Sequence, residues 1–583
     1  MTLLIHGDKY RQFGWTDIKS KFYQITACLM ILMPNIYACV VAGDLISPRM
    51  RVLYIMVSVA FFLIPALFFR ARTFLFIQSV LLFLAPIEFS HLFINHATTS
   101  ILYVHAILQS EAGECIEVVE TVWPLIVLCL GYIALFYYIV IKYVENNFLF
   151  VRHIRIGIGV AMIVLFTLIW LPQILSPRFK TPQEYLQHWQ LDMTPVQTKV
   201  FPINIYYALG YIAVSNCQIQ HEQERLADFT FHITPKKDIA EEIYVLVIGE
   251  TARYSNFGIN GYERNTTPLL AQRSNLISFD SIYSVANLTA VALPFLITRA
   301  TPQHAQLRYV EKSLVEAFKE AGFYTAWIAN QSYGNKYLRR VATSCDYHYY
   351  LPINLTKHGN YDINLLNYMV PILENATPKK MIVLHSLGCH FKYNFRYPES
   401  FARFQPAFTG DFNVNQMNIE NRRLILNTYD NAICYTDFFL DNTIAALAET
   451  GKPAVLLYVA DHGENLFDDE RQLVLHGTYS GSQWEYHVPL MVWMSDAYRR
   501  LHPEKAVAME QNRSKQQSSM VVFHSLLDLA DINYANLDTT LCIARPSLVV
   551  DSVIDGVDAN WKLKKIHELG QRPIGYDDNQ PIY

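Results

Sequence analysis

No Cys-x-x-Cys pair occurs in this sequence. Its nine cysteines (Cys28, Cys39, Cys115, Cys129, Cys217, Cys345, Cys389, Cys434 and Cys542) are odd in number and widely spaced. That pattern speaks against a Cys-based zinc or redox motif and against a dense disulfide framework. Charge is also scarce: Asp, Glu, Lys and Arg make up 17% of the residues, and the net charge is −4. Nothing in that balance calls for nucleic acid as a partner. No internal repeat or low-complexity tract stands out. The first apolar run lacks a clear small-residue cleavage site, so it reads as a retained anchor rather than a secretion signal.

What the chain has instead is apolar surface, 52% of its 583 residues, more than a typical soluble protein carries. The length allows two or three domains. The excess is concentrated in the first third. Five runs, about 22–43, 52–69, 73–94, 122–141 and 154–175, have the roughly 20 mostly apolar residues needed to cross a bilayer. Residues 1–175 are therefore expected to form a transmembrane bundle of about five helices. The run Val52–Phe69 has no charge at all, whereas the third run carries Glu88 and His91. Ionisable groups are costly in a membrane, so these two are expected to face the bundle or an interface, with substrate access as the alternative.

Orientation follows from Lys and Arg in the short loops. Lys9, Arg11, Lys19 and Lys21, then Arg70 and Arg72, then Lys142, Arg152 and Arg155 belong on the cytoplasmic side. The stretch from Asn95 to Glu120 has no Lys or Arg and carries Glu111, Glu114, Glu117 and Glu120, so it belongs outside. Arg49 and Arg51 vote against this scheme. Five crossings from an inside N-terminus place the large C-terminal part outside, in the periplasm of a Gram-negative cell. Residues 176–240 mix Pro177, Pro182, Pro195 and Pro202 with aromatics and charges, and read as a bridging segment with an amphipathic helix at the membrane surface.

From residue 241 to 583 the pattern is that of a globular domain. IYVLVIGE (243–250), MIVLHSLG (381–388), AVLLYVADHGE (454–464) and VPLMVWMS (488–495) read as buried strands. SLVEAFKEAG (313–322) and TYDNAICYTDFFLDNTIAAL (428–447) read as helices between them. That alternation implies an α/β domain with a largely parallel sheet, and such sheets bind ligands at the carboxyl ends of their strands. Glu250, His390, Asp461 and His462 fall at or just past such ends.

An Asp-His pair after a buried strand can offer zinc a carboxylate and an imidazole. A turn capped by Asp461 is the plainer reading of DHG alone. Glu250 ends a strand of apolar neighbours, where a carboxylate is expensive unless paired or bound to a metal. A salt bridge to Arg253 or a helix N-cap would also satisfy it. Together, two acidic strand ends and an adjacent histidine point to a metal site. Thr289, in NLTAVALP (287–294), is expected near a helix start. Its hydroxyl could be an N-cap, or could contact the metal and become a nucleophile. His390 and His476 could contact a phosphate group or protonate a leaving group, and each alone could equally be structural. His487 is the weakest of the histidines.

The motifs VLVIGETARYSNFGINGYERNTTP (245–268), SVANLTAVALP (284–294), WIANQS (327–332), CHFKYNFRYP (389–398), YDNAICYTD (429–437), VADHGE (459–464) and LHGTY (475–479) resemble, in order and spacing, those of the phosphoethanolamine transferases of Gram-negative inner membranes, a group that includes the lipid A-modifying colistin-resistance enzymes. The resemblance implies an alkaline-phosphatase-like fold for the soluble domain. It implies zinc held by Glu250, Thr289, Asp461 and His462, with Thr289 the nucleophile. It implies phosphatidylethanolamine as donor and lipopolysaccharide, or another envelope glycan, as acceptor. His390 and His476 match substrate or second-metal histidines of the family, and a second metal during turnover is left open. Ser332 and Lys336 match headgroup contacts at a spacing one residue longer, and Ser110 and Glu114 match a donor-binding pair. A monomer in the inner membrane is expected. The sequence departs from the family where many members have a cysteine on each side of the nucleophile. Val285 and Phe295 stand there, consistent with an apolar contact in place of a bridge, and lipid A as the acceptor is put in doubt. The rivals are a phosphoglycerol transferase of the lipoteichoic acid type and a non-catalytic membrane sensor. A sulfatase nucleophile motif is missing in the right place, since CIARP (542–546) is out of order.

Overall fold

In the computed structural model of the protein, residues 15–569 are described except 42–47, 96–97, 100–102, 105–106, 109–111, 175–199, 214–225, 227, 234–240, 332–335, 353–358, 411–415, 478–480 and 558–562. The apolar runs of the first third are helical: Trp15–Val41, Pro48–Leu63, Ala71–Gln78, Val80–Asn95, Ala112–Tyr143 and Arg152–Ile174. Helices keep every backbone polar group satisfied internally, which is what an apolar medium demands. Among the described residues three helical stretches are long and apolar enough to cross a membrane: Lys19–Cys39, Ala71–Leu92 and Ile126–Tyr143. Tyr54–Leu67 is apolar but shorter.

The chain forms two compact units, one of residues 1–101 with 122–210, the other of 102–121 with 211–583. In the first, Phe136, Val140, Phe74, Leu75 and Phe201 share one apolar core. Glu88 and His91 are both buried. Glu88 Oε2 accepts from the Thr99 N–H at 3.2 Å and from Asn204 Nδ2 at 2.8 Å. Asn35 clasps the backbone of Phe201, donating to its carbonyl at 2.8 Å and accepting from its N–H at 3.0 Å. Phe201 and Asn204, of the part of the bridging segment that belongs to this unit, are thus held in it by buried polar side chains. Of the segment 176–240, where an amphipathic helix was expected, residues 176–199, 214–225, 227 and 234–240 lie outside the described residues.

The second unit is built on a seven-stranded sheet. Its strands are β1 (Glu242–Gly249), β2 (Leu276–Phe279), β3 (Tyr324–Ala329), β4 (Tyr347–Tyr350), β5 (Lys379–His385), β6 (Ala454–Ala460) and β7 (Leu490–Met494), in the spatial order β2-β7-β6-β1-β5-β3-β4. The central strand β1 runs parallel to β5 from Glu242↔Lys379 to Ile248↔His385, and to β6 from Ile243↔Ala454 to Gly249↔Ala460. Every residue of β1, β5 and β6 is buried, as expected for parallel strands covered on both faces. β7 lies antiparallel between β6 and β2, so the sheet is mixed but mostly parallel. The four expected strands are present. β2, β3 and β4 were not anticipated: β2 has four residues, β4 (YHYY) is aromatic and half-buried, and the apolar run of β3 (YTAWIA) is broken by Thr325. The helix Arg422–Glu449 covers the YDN motif and packs against β6.

Among the described residues Cys345, Cys389, Cys434 and Cys542 are buried and none of them forms a disulfide.

Candidate active site and metal centre

The strands β1 and β6 end side by side at Gly249 and Ala460, and the next residue on each is an acid. Fixed register therefore brings Glu250 and Asp461 together, with His462 one step further along. Ligand atoms of these three residues lie within 4.8 Å of one another, and all three are buried. His462 Nε2 is 3.4 Å from Glu250 Oε1 and 3.5 Å from Asp461 Oδ2. The Nδ1–H of His462 donates to the Gly463 carbonyl at 2.9 Å, which leaves the Nε2 lone pair facing the carboxylates. Gly463 has to be glycine, because a Cβ there would run into the Trp484 carbonyl.

Two acids and an imidazole out of water form an expensive cluster. Burial, reinforced by the Asp461 charge, pushes the Glu250 carboxyl well above its usual range. Burial pulls the His462 imidazole down. Arg253, the counter-ion that a salt-bridge reading of Glu250 requires, is paired with Asp468 at 2.9 and 3.2 Å. Asp461 Oδ1 does play the turn-capping part, accepting from the N–H groups of His462 at 2.7 Å and Thr251 at 3.2 Å. Its Oδ2 is buried without a hydrogen-bond partner among the described residues. An unpartnered carboxylate oxygen beside a second carboxylate and an imidazole lone pair fits a divalent cation, and the mixed O/N donor set suits zinc.

Thr289 is the first residue of the helix Thr289–Ile297. Its hydroxyl is turned to the acids: Oγ1 lies 3.2 Å from each Glu250 oxygen and 3.2 Å from His462 Nε2. Unlike the three buried residues, Thr289 is partly exposed. The hydroxyl is thus the open edge of the cluster, where a reacting group can approach. Val285 and Phe295, which flank it, are fully buried in one apolar cluster with Val291, Ala292 and Val557. The residues on either side of Thr289 are thus held by apolar packing.

The structure also brings in both further histidines. The ring of His476 is 4.2 Å from that of His462 and 6.3 Å from that of His390, centroid to centroid. His390 Nδ1–H donates to the Phe391 carbonyl at 2.6 Å, and burial pulls its imidazole down to about 3. With Nδ1–H engaged, Nε2 is the atom of the ring left to face a ligand. His476 Nδ1 lies 3.2 Å from Glu464 Oε2.

Two supporting residues were missed in the sequence. Glu464 is buried, and burial pushes its carboxyl well above the usual range. Gln331 Nε2 donates to Glu250 Oε2 at 3.2 Å and to the Ser386 carbonyl at 2.8 Å. Each stands inside a motif, DHGE and WIANQS, that was read for its neighbours. His487 is elsewhere, stacked between Tyr254 and Tyr283 at 4.1 and 4.7 Å with Nε2 on the Asp280 carbonyl, a structural arrangement. Ser110 and Ser332 lie outside the described residues. Glu114 falls in the helix Ala112–Tyr143 and Lys336 opens the helix Lys336–Ser344, with both side chains outside the description.

Residues 242–532 match the Sulfatase family model. Among curated proteins, the chain is similar to a Kdo(2)-lipid A phosphoethanolamine 7''-transferase of Escherichia coli K12, 32% identical over 348 residues that cover 58% of this chain and 59% of that protein. It is also similar to the phosphoethanolamine transferase EptC of E. coli O18:K1:H7, 29% identical over 316 residues, covering 52% and 53%. The chain spans just over half the length of these relatives. Among solved structures, the C-terminal periplasmic domain of E. coli EptC in complex with Zn is 26% identical with a TM-score of 0.52, covering 59% of this chain and 97% of that one. The integral membrane protein EptA of Neisseria meningitidis, 21% identical, shares the fold over 90% of this chain and 98% of its own, with a TM-score of 0.66.

Proposed function

We propose that this chain, which carries a sulfatase-family domain on residues 242–532, transfers phosphoethanolamine from phosphatidylethanolamine to lipopolysaccharide or another cell-envelope glycan. The observation that carries this reading is the seat of Thr289 Oγ1, 3.2 Å from both Glu250 oxygens and from His462 Nε2. Glu250, Asp461, His462 and the Thr289 hydroxyl would together hold one zinc ion. When bound, zinc supplies charge that favours the ionised hydroxyl and steadies the phosphoryl oxygens. The complex of E. coli EptC with Zn is consistent with that choice.

In the first half-reaction an O–P bond forms to Thr289 Oγ1, and the bond from phosphorus to the glycerol oxygen breaks. The proton lost by the hydroxyl equals the one taken up by the departing diacylglycerol. In the second, an acceptor hydroxyl attacks the same phosphorus, the bond from phosphorus to Thr289 Oγ1 breaks, and the acceptor's proton passes by way of an imidazole to the freed Thr289 oxygen. His390 Nε2 is assigned to receive that proton, because its Nδ1–H is committed to the Phe391 carbonyl and Nε2 is left as the accepting atom. Gln331 and the Thr251 hydroxyl, which donates to Glu250 Oε1 at 2.7 Å, hold Glu250 in line. Lys336, Ser332, Ser110 and Glu114 complete the reading as contacts of the donor headgroup.

The same proposal places five helices across the inner membrane and the catalytic unit in the periplasm, following the Lys and Arg distribution of the loops. The test is mass spectrometry of the full-length protein after incubation with phosphatidylethanolamine and no acceptor. A phosphoethanolamine adduct on the Thr289 peptide is expected, discharged when lipopolysaccharide is added. A glycerophosphate adduct would point to a lipoteichoic-type donor, and an unmodified Thr289 in an active preparation would sink the mechanism.

A further inference from the structure

A hairpin near the end of the described chain lends no group to the site, yet it is bonded to the loop that carries Thr289. Its strands, Asp555–Val557 and Leu563–Lys565, pair antiparallel from Asp555↔Lys565 to Val557↔Leu563. The Val557 N–H donates to the Val285 carbonyl at 2.7 Å. The Val557 carbonyl accepts from the Tyr486 hydroxyl at 3.2 Å. The Tyr486 carbonyl accepts from the Ser284 N–H at 2.7 Å. These three bonds link the hairpin, the Tyr486 turn and the 284–288 loop into one closed circuit. The circuit touches the acidic side of the site as well, since the Ser284 hydroxyl donates to the Asp461 carbonyl.

Packing repeats the pattern. The Val557 side chain shares its apolar cluster with Val285 and with Val291, Ala292 and Phe295 of the helix that Thr289 opens. Approach is close enough to dictate the residue before it: a Cβ on Gly556 would lie 2.9 Å from Ile566 Cγ1 and Cδ1 and 3.2 Å from the Val285 carbonyl oxygen. Apolar contact alone leaves a loop free to slide, whereas a backbone bond to Val285 fixes its height.

We infer that this hairpin is a positioning strap for the nucleophile, with Gly556 and Val557 setting where Thr289 Oγ1 sits against Glu250 and His462. The loop is held in place here by a non-covalent clamp from a distant part of the sequence. For its catalytic consequence the inference rests on the transferase reading; the mechanical link does not. A reacting atom displaced by about 1 Å costs on the order of 100-fold in rate, so a loosened strap lowers kcat and leaves donor binding in place.

The test uses the full-length protein in detergent with Gly556→Val and, as a variant lacking a single oxygen, Tyr486→Phe. Hydrogen–deuterium exchange, zinc content and donor kinetics are measured on each. Gly556→Val is expected to raise exchange over 284–292 about tenfold, to keep zinc and protection of β1 and β6, and to lower kcat by about 10–100-fold with KM within about twofold. Tyr486→Phe should shift the same readouts in the same direction by about threefold. It carries the test alone if the valine variant does not fold. Unchanged exchange over 284–292, or raised exchange with kcat intact, overturns the strap. Loss of protection across the whole sheet also overturns it, in favour of a general core role. If the unaltered protein transfers no phosphoethanolamine, the functional reading fails, and the exchange data still decide the strap.

Discussion

Half of the candidate site stands on hydrogen-bonded strands, and the other half stands on loops. Glu250, Asp461 and His462 follow directly from β1 and β6, whose pairing is continuous up to Gly249↔Ala460. Thr289 opens a helix after the 284–288 loop, and His390 and His476 stand outside the seven-stranded sheet, on segments held by bonds such as Val557 N–H to the Val285 carbonyl and Cys389 N–H to the Glu250 carbonyl. The strand-borne groups are fully buried, and burial displaces the protonation of Glu250 and His462, while the hydroxyl is partly open. The difference teaches a division of labour. A sheet fixes charge precisely enough to hold a metal, and loops bring the groups that must meet, release and exchange a substrate.

The sharpest break of that comparison is Thr289→Ala. It should abolish transfer, by at least about a thousandfold, since the nucleophile is gone. Zinc should still bind, if more weakly, because the three strand-borne ligands of the proposed four remain. Metal analysis alongside the transfer assay checks this. Loss of zinc in the alanine variant would mean that the loop belongs to the metal frame, and the division would fall.

Glu250→Gln attacks the other half. Removing an anionic ligand should weaken zinc binding by at least about 100-fold, and transfer should fall in proportion until zinc is supplied in excess. Competition with a chelator measures the affinity. His390→Gln comes next in size. It should lower kcat about 10–100-fold with zinc retained, and the loss should fall on adduct discharge to the acceptor, not on adduct formation. Single-turnover mass spectrometry separates the two steps.

How much of this was readable beforehand follows the same line. The buried strands 243–250, 381–388 and 454–464 announce themselves as unbroken apolar runs, and an acid at the end of such a run is conspicuous because nothing around it can pay for its charge. Glu250, Asp461 and His462 were therefore legible from the residues alone. The edge strand Tyr347–Tyr350 was not, because half-buried tyrosines and a histidine carry no clear period. Thr289 was legible only in part: a helix start is visible, but the direction of its hydroxyl depends on contacts from residues 486 and 557, nearly 200 and 270 positions away. Glu464 and Gln331 escaped for a related reason. Each acts through one neighbour, and local sequence does not say which neighbour that is.

The smallest expected effect tests whether burial, without any metal, has shifted the strand-borne groups as described. Burial and the Asp461 charge hold the Glu250 carboxyl well above its usual range. Between the unfolded value, about 4.3, and that higher folded value, the native state binds more protons than the unfolded one. Stability then falls as pH rises through the window. His462 works in the opposite sense. Its imidazole is pulled down by burial, so the native state binds fewer protons below about 6.5, and stability falls as pH drops. Glu250→Gln removes the first trend and keeps the second. In chelator at pH 8 the variant should be more stable than the unaltered protein by about 1 kcal/mol, or ~2 °C in Tm, and the gain should shrink toward zero at pH 4. With zinc present the order should reverse, because the carboxylate is then a ligand. Thermal unfolding at the two pH values, with and without metal, reads all four cases. Equal midpoints in chelator at pH 8 would show that Glu250 is neutralised by some group other than a metal, and the strand-borne half of the site would lose its reason to bind one.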